Sequence, residues 1–259
     1  MALGWGRAPR PTRLTFLAVG QGDCVVFQHA GATILVDAGP NAYGIDSGKR
    51  IILPRLQALG VASVDLILVT HPDADHIGGA DSVLERYPGA RVGLSTHFRE
   101  HPVIQESVER WGEDRVVWIE GGAHIQLGSF ELRIAAPKPA EDDNSGSLII
   151  HLSNGASSAV LAGDTYTQGE IAAATASNWD ADLLMAGHHG SATSTGDAWL
   201  NEVSPEVVVI SCGRDNAYNH PAPETLARLE RHGIPHLRTD MDGEIRLVPY
   251  GESWRREGG

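Results

Sequence analysis

Thr70-His71-Pro72-Asp73-Ala74-Asp75-His76-Ile77-Gly78-Gly79 decides how this chain reads. Two imidazoles and two carboxylates fall within six residues, directly after the run Asp65-Leu66-Ile67-Leu68-Val69. A strand that empties into a dense His/Asp loop, closed by a Gly-Gly pair able to open a helix, predicts a metal site. Imidazole plus carboxylate is the ligand set for Zn²⁺, Mn²⁺ or Fe, and carboxylates admit harder ions than thiolates would. The bland alternative, a solvated turn that happens to hold His and Asp, leaves the density of ligating groups unexplained.

Two more strand ends repeat the design. Leu161 is followed by Gly163-Asp164, and Met185 by His188-His189. Alone, a Gly-Asp is ordinarily a turn and a His-His pair incidental. Loops at strand ends, however, let a rigid sheet aim side chains from distant sequence at one point. Two divalent ions need roughly five to seven protein ligands with a bridging carboxylate, so the three places support one another. Other histidines take the plain reading: His151 lies inside a strand, and His29, His97, His101, His124, His232 and His236 lack metal-like partners at short spacing. Gly20-Gln21-Gly22-Asp23 is no phosphate loop, since neither Lys nor a helix start follows; it reads as a tight turn that places Asp23 near the site floor. Asp37 reads as a partner supporting a ligand, or as a simple turn start.

The 259 residues carry a formal charge of −13, which argues against a nucleic-acid coat or an anionic-membrane binder. A nuclease stays open, because bound divalent cations would place positive charge in the cleft itself. Cys24 and Cys212, the two cysteines, lie in apolar strand-like runs and read as buried hydrophobes compatible with a reducing cytosol. No run has signal-peptide or membrane-spanning length, which predicts a cytoplasmic chain with no membrane partner.

Patterning predicts strands at Leu14–Val19, Cys24–Gln28 and Ala32–Asp37, then a helix over Arg50–Leu59 with Pro54 in its first turn. The strand Val64–Val69 delivers the His/Asp loop, and a short helix at Gly79–Arg86 follows. Asn154-Gly155 marks a hairpin between Ser147–Leu152 and Ser158–Leu161. Helices at Gln168–Ser177, Asp197–Val203 and Pro223–Arg231 alternate with strands at Asp182–Met185 and Val207–Ser211, and Glu244–Val248 is the last strand. The expected organisation is a loose leader over 1–12, one layered α/β domain over 13–250, and a tail over 251–259.

His71-Pro72-Asp73-Ala74-Asp75-His76-Ile77-Gly78-Gly79 resembles the signature loop of metallo-β-lactamase-fold hydrolases in its His-x-Asp-x-Asp-His form. It is closer still to the hydrolase domain of the bacterial ComEC competence proteins. Supporting stretches are Val19-Gly20-Gln21-Gly22-Asp23, Leu35-Val36-Asp37-Ala38-Gly39, Leu161-Ala162-Gly163-Asp164, His188-His189-Gly190-Ser191, Asn219-His220-Pro221 and Thr239-Asp240-Met241-Asp242-Gly243. The resemblance implies an αββα sandwich with a one- or two-metal centre at one edge of the sheets. It implies His71 and Asp73 as ligands of a first ion, Asp75 and His76 of a second, and Asp164 as the bridge. One of His188 and His189 completes the second site, with His188 favoured.

Two departures from the wider fold stand out. Asp73 occupies a position that is usually His, and Asp143-Asn144-Ser145-Gly146-Ser147 contains no His where another ligand is usual. Both weaken the first site and make Mn²⁺ credible beside Zn²⁺.

The implied activity is hydrolysis by a metal-activated water, which Asp75 orients or deprotonates. His220 is the candidate proton donor or phosphate contact, and Asn144, Ser145 and Ser191 are candidate substrate contacts. A phosphodiesterase acting on nucleic acid or a nucleotide, without the family's membrane channel, is the expected function. The alternatives are a hydrolase of a small ester, thioester, lactone or lactam at the same metals, and a catalytically weak metal-stabilised binding module.

Overall fold

In β1 (Arg13–Phe16), β2 (Val25–His29) and β3 (Ala32–Val36), side chains alternate between two apolar environments. Leu14, Phe16, Val25, Phe27, Ile34 and Val36 point to a central core, while Val26 and Leu35 belong to an outer one. Strands buried on both faces read as near-continuous apolar runs, which is why these segments show little polar alternation. The computed structural model describes residues 12–42, 44–139 and 142–257.

A two-residue hairpin, β4 (Asn41–Ala42) with β5 (Ile45–Asp46), leads to a π turn at Gly48–Ile52 and then α1 (Leu53–Ala58), with Pro54 in its first turn as expected. After β6 (Leu66–Leu68) come α2 (Ala74–Ile77), α3 (Ala80–Arg86), β7 (Arg91–Ser95), α4 (Pro102–Trp111) and β8 (Val116–Ile119). The second half runs β9 (Ala123–Leu127), β10 (Phe130–Ala135), β11 (Ile149–Ser153), β12 (Ser158–Leu161), α5 (Thr167–Ala176), β13 (Leu183–Met185), α6 (Asp197–Val203), β14 (Val207–Ile210), α7 (Pro223–His232), β15 (His236–Arg238), α8 (Thr239–Asp242), β16 (Ile245–Tyr250) and β17 (Ser253–Arg256).

One sheet has the order β17-β16-β1-β2-β3-β6-β7-β8 and the other β15-β14-β13-β12-β11-β10-β9. Their facing sides close over the central core, where Phe27 meets Phe130 edge-on at 5.2 Å. Ile52, Leu56, Val83, Leu84, Ile104 and Trp111 cover the first sheet from outside, and Ala173, Trp199, Leu200, Val203 and Leu229 cover the second. The result is the expected αββα sandwich. Each fully buried large aliphatic or aromatic side chain in these layers contributes about 1.5–3 kcal/mol of burial.

Three expectations need correction. The first strand stops at Phe16, since Gly20 and Gly22 adopt positive φ and turn the chain into the site. Residues 253–256, expected as tail, form β17, whose Trp254 packs into the central core and donates Nε1–H to Ser158 O. The short strand β15, not foreseen, extends the second sheet beyond β14. The proposed leader lies almost wholly outside the described residues. No helix among the described residues is long and apolar enough to cross a membrane.

The strands β3, β6, β7 and β8 run parallel, as do β12, β13, β14 and β15. Parallel strands put their carboxyl ends on one edge of the sheet, the usual place for a site in open α/β sheets. The loops after β3, β6, β12, β13 and β14 carry Asp37, the His71–His76 loop, Asp164, His188-His189 and the 211–222 segment respectively.

Candidate metal centre

The loop after β6 is clamped where it begins. Thr70 donates its backbone N–H and its hydroxyl to the two oxygens of Asp37, at 2.8 and 2.9 Å, and Asp37 is fully buried. Backbone bonds from Ala38 N to His76 O and from Asp23 N to Asp75 O tie the loop to its neighbours. Gly78 and Gly79 have a steric purpose as well as a helix-opening one. A Cβ at Gly78 would stand 2.2 Å from Asn41 N, and one at Gly79 2.3 Å from Ala38 O. Only residues without a side chain let the 38–41 backbone press this close.

Asp164 sits at the centre, 3 % exposed, with its two oxygens turned to different imidazoles. Oδ1 lies 3.3 Å from His76 Nε2, and Oδ2 lies 3.6 Å from His189 Nε2. His189 Nε2 is also 3.3 Å from Asp75 Oδ2. Both imidazoles are braced from behind. His76 Nδ1 is 2.9 Å from Asp37 Oδ2, while His189 Nδ1 is 3.2 Å from Asp23 Oδ1 and 3.1 Å from Ser211 O. A carboxylate behind a histidine fixes its tautomer, ring angle and basicity, leaving Nε2 as the donor atom.

The remaining groups are arranged more loosely. His71 Nε2 is 3.5 Å from Asp73 Oδ2, and its ring centroid is 4.1 Å from that of His76. The Asp73 side chain is 45 % exposed. From the 142–147 segment, the hydroxyl of Ser147 accepts the Asp164 N–H, and Asn144 Nδ2 stands 3.5 Å from His188 Nε2.

These donors fit a divalent cation. His71 Nε2, His76 Nε2 and Asp164 Oδ1 are buried and have no hydrogen-bond partner, an arrangement that is costly without a cation. Two ligands each about 2.1 Å from a tetrahedral ion stand about 3.4 Å apart, close to the 3.3–3.6 Å gaps at His76, His189 and Asp164. Electrostatics agrees. Burial lowers the His76 and His189 pKa values, but Asp164 with Asp37 and Asp23 outweighs it and raises both well above the ordinary range. Burial alone would raise the Asp75 carboxyl, yet His189 and His76 hold it down at about 2. Asp164 is held well below the usual carboxylate range by His189 and His76, against the effect of burial. The cluster calls for positive charge, and a metal ion meets that demand without protonating the ring nitrogens. Asp23 belongs to the same tight group by distance, but its carboxylate meets the Nδ1 side of His189, so it braces a ligand and does not face the shared Nε2 side.

Between the two histidines after β13, the geometry favours His189. Its side chain is 2 % exposed and faces both Asp75 and Asp164, whereas His188 is 22 % exposed with Nε2 3.7 Å from Asp164 Oδ2. The motif-based preference for His188 is thereby reversed. Both residues sit at positive φ, 49° and 55°, backbone conformations that non-glycine residues rarely hold. Buried Glu170 on α5 stabilises the segment that follows by accepting the N–H groups of Thr195 and Gly196. Thr195 in turn accepts the Gly187 N–H at 3.0 Å.

An open cleft of about 240 Å³ lies above the cluster, lined by Gln21, Asp73, Asp75, Asn144, Asp164, His188, His189, Tyr218 and His220. Burial together with His188 and His189 pushes the His220 pKa down to about 4, so its imidazole is neutral near pH 7. Asn144 and His220 therefore stand where substrate contact was expected. Ser145 and Ser191 do not line the cleft: the Ser145 hydroxyl donates to Asp142 O, and that of Ser191 pairs with Thr193. Both serve turns. His151 is likewise structural, packed in β11 with Nε2 3.0 Å from Asp180 O.

Several functional positions escaped a firm reading from sequence. The bracing of His189 by Asp23 was visible only as a Gly-rich turn, and Glu170 gave no signal. Gln21 and Tyr218 enter the cleft from loops whose motifs pointed only to their neighbours.

The family model described as the metallo-beta-lactamase superfamily matches residues 17–214. The chain belongs to the metallo-beta-lactamase superfamily. It is 31 % identical over 247 residues to ComE operon protein 3 of Bacillus subtilis, covering 88 % of this chain and 32 % of that protein. Recombination protein 2 of Haemophilus influenzae is 33 % identical over 242 residues, covering 92 % of this chain and 29 % of the relative. Competence protein ComA of Neisseria gonorrhoeae is 32 % identical, over 90 % of this chain and 32 % of its own length. These matches bear out the resemblance to ComEC-type competence proteins; the chain spans about a third of each relative. Among solved structures, the metallo-beta-lactamase fold protein YhfI from Bacillus subtilis superposes with a TM-score of 0.63 at 11 % identity, covering 92 % of this chain and all of YhfI. The diiron beta-hydroxylase CmlA from Streptomyces venezuelae also reaches 0.63, at 16 % identity over 94 % of this chain and 55 % of CmlA. At such identities the likeness concerns the fold alone. The superfamily is generally one of hydrolases, and this member carries a His/Asp cluster able to bind metal ions.

Proposed function

We propose that the chain is a metal-dependent phosphodiesterase acting on nucleic acid. The observation that carries this reading is the cleft itself. Its lining is Gln, Asp, Asn, His and Tyr, with no aliphatic side chain among the described residues. A lactam, lactone or thioester with an apolar body finds no matching wall there, whereas a sugar-phosphate finds several polar partners. The names of two relatives, a competence protein and a recombination protein, support a nucleic-acid role.

Asp75, His76, Asp164 and His189 would hold the better-supported ion, and His71 with Asp73, sharing Asp164, a second. Bound there, a divalent cation supplies water activation and neutralises charge developing on the attacked phosphate. The chain's own residues do the rest. Asp37 and Asp23 keep His76 and His189 oriented, and Asp75, held ionised, orients the attacking water. Three carboxylates in the cleft, Asp73, Asp75 and Asp164, repel a phosphodiester until cations offset them, so substrate binding itself depends on metal loading. Neutral His220 and the amides of Asn144 and Gln21 offer hydrogen bonds to phosphate oxygens.

Chelated and reloaded protein tests this. Mn²⁺ or Zn²⁺ should restore cleavage of single-stranded DNA, RNA or a chromogenic phosphodiester, with no turnover of nitrocefin. Nitrocefin hydrolysis without phosphodiester cleavage would favour the small-substrate alternative. Metal binding without any turnover would favour a binding module.

A further inference from the structure

Tyr218 is unusual among the described aromatic residues in being both exposed and aimed at the reaction. It is 68 % exposed and lines the cleft that holds Asp75, Asp164 and His189. Its ring stacks on His220 with centroids 5.8 Å apart and an interplanar angle of 27°. The His220 ring in turn lies 5.6 Å from that of His188, whose Nε2 is 3.7 Å from Asp164 Oδ2. Tyr218, His220 and His188 thus form a file of rings leading from solvent to the central carboxylate. The other exposed tyrosine among the described residues differs: the Arg255 guanidinium lies 4.4 Å over the Tyr250 ring.

The backbone beneath this exposed tyrosine is held in place. Asn216 Oδ1 accepts the N–H groups of Tyr218 and His220 at 3.2 and 2.9 Å, and its Nδ2 donates to Gly213 O and His220 O. Gly213 N donates to Gln21 Oε1 and the Ser211 hydroxyl to Gly22 O, which pins the start of the loop to the site floor, and Ala222 N donates to Gly190 O at its end. A preordered aromatic surface costs little further entropy when a flat group docks on it. Every nucleobase has a π-face, but within a duplex those faces are already stacked, so such a platform selects unpaired bases.

We propose that Tyr218 is a stacking platform for an unpaired base beside the reacting phosphate, which makes single-stranded nucleic acid the substrate class. This rests on the phosphodiesterase reading above. The test compares steady-state cleavage of a single-stranded oligodeoxynucleotide with that of an equally long strand built of abasic sugar-phosphate units, using metal-loaded wild type, Tyr218→Ala and Tyr218→Phe. On the base-bearing strand, Tyr218→Ala should raise KM roughly 5- to 150-fold, the range that stacking contributes, with kcat less affected, and Tyr218→Phe should restore it. On the abasic strand the three proteins should behave alike. An equal loss on both strands would overturn the platform while leaving the phosphodiesterase reading intact. Wild type that cleaves neither strand, though metal-loaded, would overturn both.

Discussion

The two halves of the centre are built to different standards. Around His76, Asp164 and His189 every ring nitrogen has an assignment: Nε2 faces the shared carboxylate, His76 Nδ1 meets Asp37, and His189 Nδ1 meets Ser211 O with the Asp23 carboxylate beside it. Around His71 and Asp73 there is one buried imidazole, one half-exposed carboxylate and no third ligand from the 142–147 segment. Orientation fixed in advance by buried partners is what makes a metal site tight and selective. The first half would therefore hold an ion more firmly, and the second is where occupancy would vary with the metal supplied.

The largest expected effect attacks what the halves share. Asp164→Ala removes the carboxylate whose two oxygens face His76 and His189 and which feels the charge of His71, and should take metal retention and phosphodiester turnover to the limit of detection. Full activity in that variant would show that the halves do not depend on a bridge. Next come the braces: Asp23→Asn or Asp37→Asn should each lower metal affinity or activity about 10- to 100-fold, by analogy with other carboxylate–histidine pairs. Titration of the variants with Mn²⁺ and Zn²⁺ measures this, and unchanged affinity would mean that the bracing is incidental. Asp73→Ala should be milder at the tight site, with less than about tenfold loss there, while binding of any second ion disappears.

The smallest effect concerns the support beneath His188 and His189. Burial pushes the Glu170 carboxyl from its ordinary value of 4.5 up to about 7, despite the N–H groups of Thr195 and Gly196 that pull it down. A carboxyl raised on folding binds protons more readily in the native state, so its contribution is present below about pH 4.5 and is lost as pH rises through about 7. The stability of wild type relative to Glu170→Gln, measured by urea unfolding, should accordingly shrink between pH 5 and pH 7.5. Parallel pH profiles for the two proteins would exclude this linkage.

How much of this was legible beforehand follows from what each feature depends on. The His71–His76 loop announces itself because its ligands are contiguous, and Asp164 and His188-His189 do so because each follows an apolar strand. The αββα layering is written in runs such as Cys24–Phe27 and Val208–Ile210, which are buried on both faces. The choice between His188 and His189 was not legible, since it depends on two successive left-handed residues that turn one ring inward and the other to the cleft wall. Asp23 and Asp37 join their histidines across 166 and 39 residues of chain, and local spacing carries no trace of that pairing. Strand β17 was missed because the segment 253–256 is short and half of it is arginine. Only its register with β16 and the burial of Trp254 make it a strand.

The braced half should hold an ion without help from Asp73. The direct measurement is metal content per chain by mass spectrometry, after Mn²⁺ or Zn²⁺ loading and exhaustive dialysis, for wild type, Asp73→Ala and the Asp23→Asn/Asp37→Asn double variant. About one ion should be retained in wild type and in Asp73→Ala, with most of it lost from the double variant. Retention in the double variant together with loss in Asp73→Ala would contradict it.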